Sequence, residues 1–512
     1  MARTDTIIKI LPGERFTPYA LARKLGALAL LESSSFQKGR ERYSILMVKE
    51  AFRVTDEAGT LMLTADGKTY AVKSTARDIL DVLPYFADQH TLPHQDFPFP
   101  AGGIGFLSFE YAQRCDTIRF RERPDALGMP DAEFIFGHVF IVFDHYTDLL
   151  YVIGLNYREH AIDLARAVTE TEARINDLNF NYLQNGDVPY AAELIEEEGA
   201  TEAFLAGVAK VRDEIIAGNL LQGVLSRRLT YRTELPAIEA YRRLRTANPS
   251  PYLFYLDFGP YQLFGSSPEV HVKVKDDRVT IRPIAGTRKR GSTREEDRAL
   301  EAELRGDAKE RAEHLMLVDL ARNDIGRVCA PGTVEVGDYM TVERYSHVMH
   351  LVSEAGGTLE PGKTGADAVR ATFPAGTVSG APKIRAIETI DALEPVRRGF
   401  YAGLVGYVEP GGSLDTCITI RSAVKKDDLL VMQAGAGIVY DSVPERELAE
   451  TEQKLAAMRR AAGIEPTEPA AAGAGNPVPA GAGNPMAAPG REAEPRANPA
   501  VFAKPTAPEV RS

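Results

Sequence analysis

The strongest constraint on this chain is a series of apolar runs with a period of two, each closed by a turn signal. In the first 190 residues these are SILMVKEAFRV from Ser44, TLMLTADGKTYAV from Thr60, AEFIFGHVFIVFD from Ala132 and LLYVIGL from Leu149. Alternation at that period sends successive side chains to opposite faces of a strand. Further runs follow: LLQGVLSRRLTY from Leu220, and Val270 to Lys275 with Arg278 to Ile281 around Asp276-Asp277, a two-residue hairpin signal. GLVGYVEP and SLDTCITIRSA flank Gly411-Gly412 as a second hairpin, and LLVMQAGAGIVY from Leu429 reads as another strand. Helical spacing intervenes at Phe204, Val208, Val211 and Ile215, stopped by Gly218-Asn219. Helices are also expected over His160 to Asn176, 294–305, 307–321 and from Pro444 to about 462. Long antiparallel strands with helices outside give an α+β class.

From about Pro466 the composition becomes Pro/Ala/Gly-rich, with GAGNP repeated, and cannot bury a core. Three segments are expected: an N-terminal region over 1–190, a second region over 195–463 and a disordered tail over 464–512. A net charge of −12 argues against nucleic-acid binding. Any anionic substrate must then find positive charge built locally, from buried arginines or a divalent metal. Cys115, Cys329 and Cys417 show no CxxC spacing and cannot all pair, which fits a reducing cytoplasm. The first residues lack a signal peptide, and no run approaches about 18 apolar residues, so no membrane span is expected.

Two carboxylate pairs stand out. Glu310 and Glu313 lie three apart on one expected helix, Glu447 and Glu450 three apart on another, so each pair shares a face. Two such faces meeting give an oxygen-rich site for a hard cation such as Mg2+; the same spacing also describes solvated, ion-paired helix surface. In RPIAGTRKRG, Gly286 admits a close backbone approach, and Thr287 offers a hydroxyl and an N–H; a basic surface turn reads the same way. QAGAGIVY carries Gly435 and Gly437 but has Tyr440 at the third glycine position and no immediate helix, which excludes a dinucleotide fingerprint. Its backbone N–H groups can still meet a carboxylate. AGTVSGAPK lacks P-loop spacing. Gln222 and Ser226 fall on one strand face, as do Cys417, Thr419 and Arg421, each readable as a solvent face. His350 is a structural histidine or a proton-transfer group.

Taken in order, the strings LLQGVLSRR, NPSPYLFYLDF, GSSPE, RPIAGTRKRG, EHLMLVDLARNDIGRV, VMHLVS, TFPAGTVSGAPKIRA, YAGLVGYV, TIRSA and QAGAGIVYDSVPERELAETEQK resemble the chorismate-utilising enzymes over about 201–460. LLESSS from Leu30 and RYSIL from Arg42 resemble the N-terminal region of anthranilate synthase component I. The resemblance implies two large antiparallel sheets packed together with helices outside and an active site between them. By position, Glu313 and Glu450 match Mg2+ ligands, with Glu310 and Glu447 beside them. Gly286, Thr287, Tyr401, Arg421, Gly435, Ala436 and Gly437 match substrate-binding positions, and Lys454, one turn after Glu450, adds charge. Glu269 matches the general acid that helps the 4-hydroxyl leave, and His350 the essential histidine.

Water-adding relatives carry a lysine base where this chain has Gln222, and an amide cannot deprotonate water. Aminodeoxychorismate synthase carries a nucleophilic lysine where this chain has Ala285. The resemblance therefore implies ammonia as nucleophile, chorismate as substrate, and anthranilate and pyruvate as products. The chain has no Gly-x-Cys-x-Gly nucleophile turn, so a separate glutamine amidotransferase subunit is implied, in a two-plus-two heterotetramer. Ser33, Pro251, Tyr252 and Leu253 match a regulatory site for L-tryptophan, with Leu30 and Leu31 as packing. The alternatives are a paralogue that releases aminodeoxyisochorismate or one that serves secondary metabolism.

Overall fold

A computed structural model describes residues 5–33, 42–72, 76–90, 96–125, 127–180, 190–195, 199–345 and 348–463. The expected tail, and Ser34 and Ser35 of the LLESSS string, lie outside the described residues. The period-two runs form strands as expected, all paired antiparallel, in a continuous ladder of 21 strands and a smaller sheet of three. Tyr43–Glu57 pairs along most of its length with Ala132–Asp144, and Gln222–Arg232 pairs with Leu429–Ile438 from Gly223↔Ile438 to Arg232↔Leu429. Strands from both ends of the chain interleave: Leu31 pairs with Phe254, and Phe106 with Val405. Among the described residues no helix is long and apolar enough to cross a membrane.

Local chemistry explains the turns. Asp276 and Asp277 join Val270–Lys275 to Arg278–Ile281 with φ of 49° and 62°. A two-residue loop that follows the strand twist needs positive φ at both positions, and aspartate tolerates it better than most residues. The helix Ala200–Ile216 buries Phe204, Val208 and Val211 against Leu225, Ala436 and Ile438 of the underlying strands. Each such side chain contributes about 1.5–3 kcal/mol through burial. The acid-bearing helices run over Ala308–Gly326 and Pro444–Ala461.

Two expectations need correction. The helix expected from His160 starts at Leu164, because the Asp163 carboxylate caps it by accepting from the Arg166 N–H at 3.0 Å. Thr419 and Arg421 do not share a strand face with Cys417. The strand ends at Ile418, and Arg421 sits at φ 51° before the next strand, Ser422–Lys426. The Arg421 carbonyl there accepts from the Ser266 N–H at 3.0 Å, a tertiary contact that strand alternation cannot show.

Candidate active site

The two acid pairs do face each other. Burial is the largest influence on Glu313 and raises its pKa; Glu310, Glu450 and Glu447 push the same way, against Lys309. Glu447 in turn feels Glu450 from its own helix and Lys309 from the opposite one, after burial and the Ser442 hydroxyl. Cations hold the carboxylates in place: Arg288 is 2.9 Å from Glu310, Lys309 is 3.8 Å from Glu313, and Lys454 is 2.7 Å from Glu450. Among the described residues, no three His, Cys, Asp or Glu side chains are drawn together into a closed metal cage. The arrangement is an open set of mutually repelling oxygen donors. It suits a hard cation that keeps much of its water, as Mg2+ does when held by one or two carboxylates.

Next to this set, Ile284–Lys289 pairs with Val348–Val352, and the register slips between Ala285↔Leu351 and Thr287↔His350. Gly286 is the extra residue, at φ 67°, and a Cβ there would lie 3.1 Å from Glu310 Oε2. Only glycine meets both conditions. The bulge brings the Gly286 carbonyl within 3.0 Å of His350 Nδ1, with Thr287 Oγ1 at 3.1 Å. A carbonyl only accepts, so Nδ1 carries the proton and Nε2 keeps its lone pair. Burial, aided by Arg421, lowers the His350 pKa against the Gly286 bond, so the ring is neutral.

Glu269 is buried between Ser267 and Val270, and burial pushes its pKa up to about 8, opposed by the Thr377 hydroxyl, Arg421 and Lys454. It therefore holds its proton at neutral pH, as a general acid must. Burial lowers the pKa of Arg421, with Tyr401, Glu450 and Glu269 acting the other way. Arg421 has neighbours of both kinds but forms no ion pair among the described residues. Tyr401 and Gln222 lie against the strand Leu429–Ile438, where a Cβ on Gly435 would meet the Tyr401 hydroxyl at 2.9 Å and one on Gly437 would meet Gln222 Nε2 at 2.7 Å. Lys454 Nζ donates to the Gly435 carbonyl at 2.8 Å. The methyl of Ala436 points to the opposite, apolar face, so this residue offers the site only its backbone. The Gln222 Oε1 atom is buried with no partner among the described residues.

Sequence reasoning missed the support beneath these groups. Arg398 is 1% exposed; its Nε and Nη2 donate to Glu394, Nη1 to the Val378 carbonyl at 2.7 Å and Nη2 to the Val224 carbonyl at 2.6 Å. Glu394 also accepts from the Ser226 N–H and hydroxyl, both at 2.8 Å. One buried pair thus ties together the strand of Gln222, the turn of Thr377 and the segment leading to Tyr401. An i, i+4 Glu–Arg pair reads from sequence as helix surface, which is why it gave no signal.

The regulatory candidates gather elsewhere. A cavity of about 520 Å³ is lined by Ser33, Pro251, Tyr252 and Leu253. Leu31 lines it too, whereas Leu30 is turned into the core on the other face of its strand. The Ser33 hydroxyl is buried without a partner among the described residues, and the Tyr252 hydroxyl donates to Asp415 at 2.9 Å. The cavity wall includes Cys417, paired in register with Val270 next to Glu269, so the two sites lie on either side of one ladder.

The family model described as chorismate binding enzyme matches residues 36–460. Anthranilate synthase component 1 of Spirochaeta aurantia is 62% identical over 90% of this chain and 96% of its own length. The protein of that name from Cereibacter sphaeroides is 45% identical over 71% of this chain and 74% of its own. The crystal structure of anthranilate synthase component I from Streptococcus pneumoniae TIGR4 superposes with a TM-score of 0.74 at 36% identity, covering 88% of this chain and 99% of that one. The menaquinone-specific isochorismate synthase MenF from Escherichia coli, at 19% identity and a TM-score of 0.68 over 90% of this chain and 95% of its own, shares the fold. The chain belongs to the chorismate binding enzyme family and, within it, to the anthranilate synthase component 1 group.

Proposed function

We infer that this chain is the synthase component of anthranilate synthase, converting chorismate and ammonia to anthranilate and pyruvate at the start of the tryptophan branch. The observation that carries this reading is the 62% identity, over 90% of the chain, to an anthranilate synthase component 1.

Arg421, without an ion pair among the described residues, and Lys454 supply the local positive charge that a dianionic substrate needs, with Tyr401 and the backbone of Gly435, Ala436 and Gly437 completing the carboxylate contacts. Gly286 and Thr287 bound the other side. Glu313 and Glu450 would hold Mg2+, with Glu310 and Glu447 beside them, and the ion would supply positive charge for the ring carboxylate. Glu269 gives its proton to the departing 4-hydroxyl, which leaves as water while ammonia adds at ring C2. Gln222 orients the nucleophile through its unpaired Oε1 but cannot deprotonate water, so hydroxide does not compete. The C2 proton and pyruvate then leave, and the ring becomes aromatic. His350, neutral with Nε2 free, serves proton transfer in these steps.

Residues of the N-terminal region, among them Leu31, Ser33, Tyr43 and Phe97, line one side of the cavity of about 520 Å³, which takes L-tryptophan: its polar lining suits an amino-acid backbone, and its apolar wall an indole. A glutamine amidotransferase component supplies ammonia, in a two-plus-two assembly, and the three unpaired cysteines are consistent with cytoplasm. The test is incubation of the purified chain with chorismate, ammonium and Mg2+. Anthranilate and pyruvate in equal amounts, lost on chelation of the metal, support the reading. Aminodeoxyisochorismate without pyruvate contradicts it.

A further inference from the structure

The burial that keeps Glu269 protonated also makes its proton hard to replace. In the reading above Glu269 gives up a proton in every turnover and must recover one before the next. The added ammonia sheds its proton at the other end of the site, by Gln222, and chorismate lies between. The replacement must therefore reach Glu269 from behind.

A cavity of about 30 Å³ lies there. Of the residues assigned above to substrate, metal and proton transfer, Glu269 alone belongs to its wall, so the cavity is on the side away from chorismate. The polar side chains in the wall are Glu269, His271, Thr372, Thr377 and Asp324. A cavity needs roughly 10–15 Å³ of this kind to hold a water, and the water needs about two to four polar partners. Thr377 is one such partner. Its hydroxyl acts on Glu269, yet its Oγ1 is buried with no direct hydrogen-bond partner among the described residues, a spacing that a bridging water completes.

Two titratable groups besides Glu269 stand in the wall. His271 is not the proton source: burial, with Lys383 second, lowers its pKa to about 3, and its ring nitrogens meet the Thr416 and Thr372 hydroxyls, each at 3.3 Å. Asp324 is of the opposite kind. Burial raises its pKa, against Lys383 and Arg327. Lys383 Nζ donates to Asp324 at 2.7 Å and to the Thr372 carbonyl at 3.0 Å. The Asp324 and Lys383 side chains are 12% and 10% exposed, so the outer edge of the pair touches solvent. Glu269 has no ion pair among the described residues, whereas Asp324 has Lys383. A proton placed on Asp324 therefore runs downhill to Glu269.

We propose that Asp324, held by Lys383, reloads Glu269 after each turnover through water bound in this cavity. A proton from solvent forms an O–H bond on Asp324. That bond breaks as the cavity water takes the proton, and one of the water's own protons closes an O–H bond on the Glu269 carboxylate. Asp324 returns to its anion, and the proton shed by the added ammonia leaves to solvent, so charge balances over the cycle. Asp324 does not touch chorismate and acts through Glu269 alone. The proposal rests on the reading of Glu269 as the acid.

The test compares the full wild-type chain with Asp324→Asn, using ammonium, chorismate and Mg2+. Anthranilate formation is measured with enzyme in excess over chorismate, so that each site turns over once, and again in the steady state. The first turnover uses the proton already on Glu269. The variant is expected to hold the single-turnover rate within about twofold and to lose the steady-state rate by roughly tenfold or more, with a solvent deuterium effect of about two or more on the slowed rate. Equal losses in both regimes, which a merely structural role gives, overturn the proposal. So does an unchanged steady state, or a slowed one without the deuterium effect. Because Asp324→Asn leaves the buried Lys383 without its partner, the double variant Asp324→Asn/Lys383→Met, which removes both charges, is measured beside it and carries the same expectation. A wild-type chain that makes no anthranilate from ammonium overturns the underlying reading instead.

Discussion

If Glu269 is the proton donor, turnover must follow its protonation. Burial carries its pKa from an ordinary 4.5 to about 8, a displacement equivalent to about 5 kcal/mol in favour of the protonated form. At pH 7 roughly nine carboxyls in ten then carry the proton, against well under one in a hundred for an unshifted glutamate. The protonated form is the active one, so the rate should hold through neutrality and fall as pH rises through about 8. Arg421 and Lys454 pull the pKa down, so Arg421→Gln should move this limb to higher pH as well as weaken chorismate binding. Glu269→Gln should cost roughly 10²–10⁴ in kcat and abolish the limb. The sign for stability is also fixed: the folded pKa lies above the unfolded one, so the associated stability is complete below about 4.5 and is lost as pH rises through about 8. The uncharged amide escapes this loss, and Glu269→Gln should melt at a higher temperature than the wild type at pH 8. The assay is anthranilate fluorescence from pH 6 to pH 9.5, roughly bracketing the limb, with free ammonia rather than total ammonium held constant. A flat profile across that range, or a Glu269→Gln enzyme within tenfold of wild type, would refute the assignment.

Glu313→Gln or Glu450→Gln removes one anionic donor and should raise the Mg2+ concentration needed for turnover by roughly tenfold or more with an unchanged circular dichroism spectrum; normal activity at ordinary Mg2+ would return both pairs to the status of helix surface. Gln222→Lys should slow amination and release some isochorismate, detectable by chromatography, because burial favours the neutral amine; an unchanged rate with anthranilate alone would place Gln222 away from the nucleophile. Ser33→Arg fills part of the cavity of about 520 Å³ and should relieve inhibition by L-tryptophan while leaving the uninhibited rate near wild type; a wild-type enzyme indifferent to tryptophan would remove the regulatory reading.

Much of the fold was legible because it rests on local rules. The spacing of Phe204, Val208 and Val211 marked the buried helix face, and Asp276-Asp277 marked a turn that needs positive φ. The acid pairs were legible as pairs, but not as a site, since nothing in an i, i+3 spacing says which distant helix lies opposite. Arg421 was misplaced on a strand because its backbone conformation is held by Ser266, far away in sequence. Arg398 and Glu394 were invisible for a related reason. Their value comes from burial beneath three converging segments, and charge in a sequence signals exposure until tertiary packing removes the water.

The central claim is that this site adds nitrogen, not oxygen, to the ring of chorismate. Turnover of chorismate with 15N-ammonium and Mg2+ in 18O-water, followed by mass spectrometry of every aromatic and cyclohexadiene product, tests it directly. Anthranilate carrying 15N, with no product bearing 18O on the ring, is the expected result. An 18O-labelled isochorismate or salicylate as the main product would contradict it.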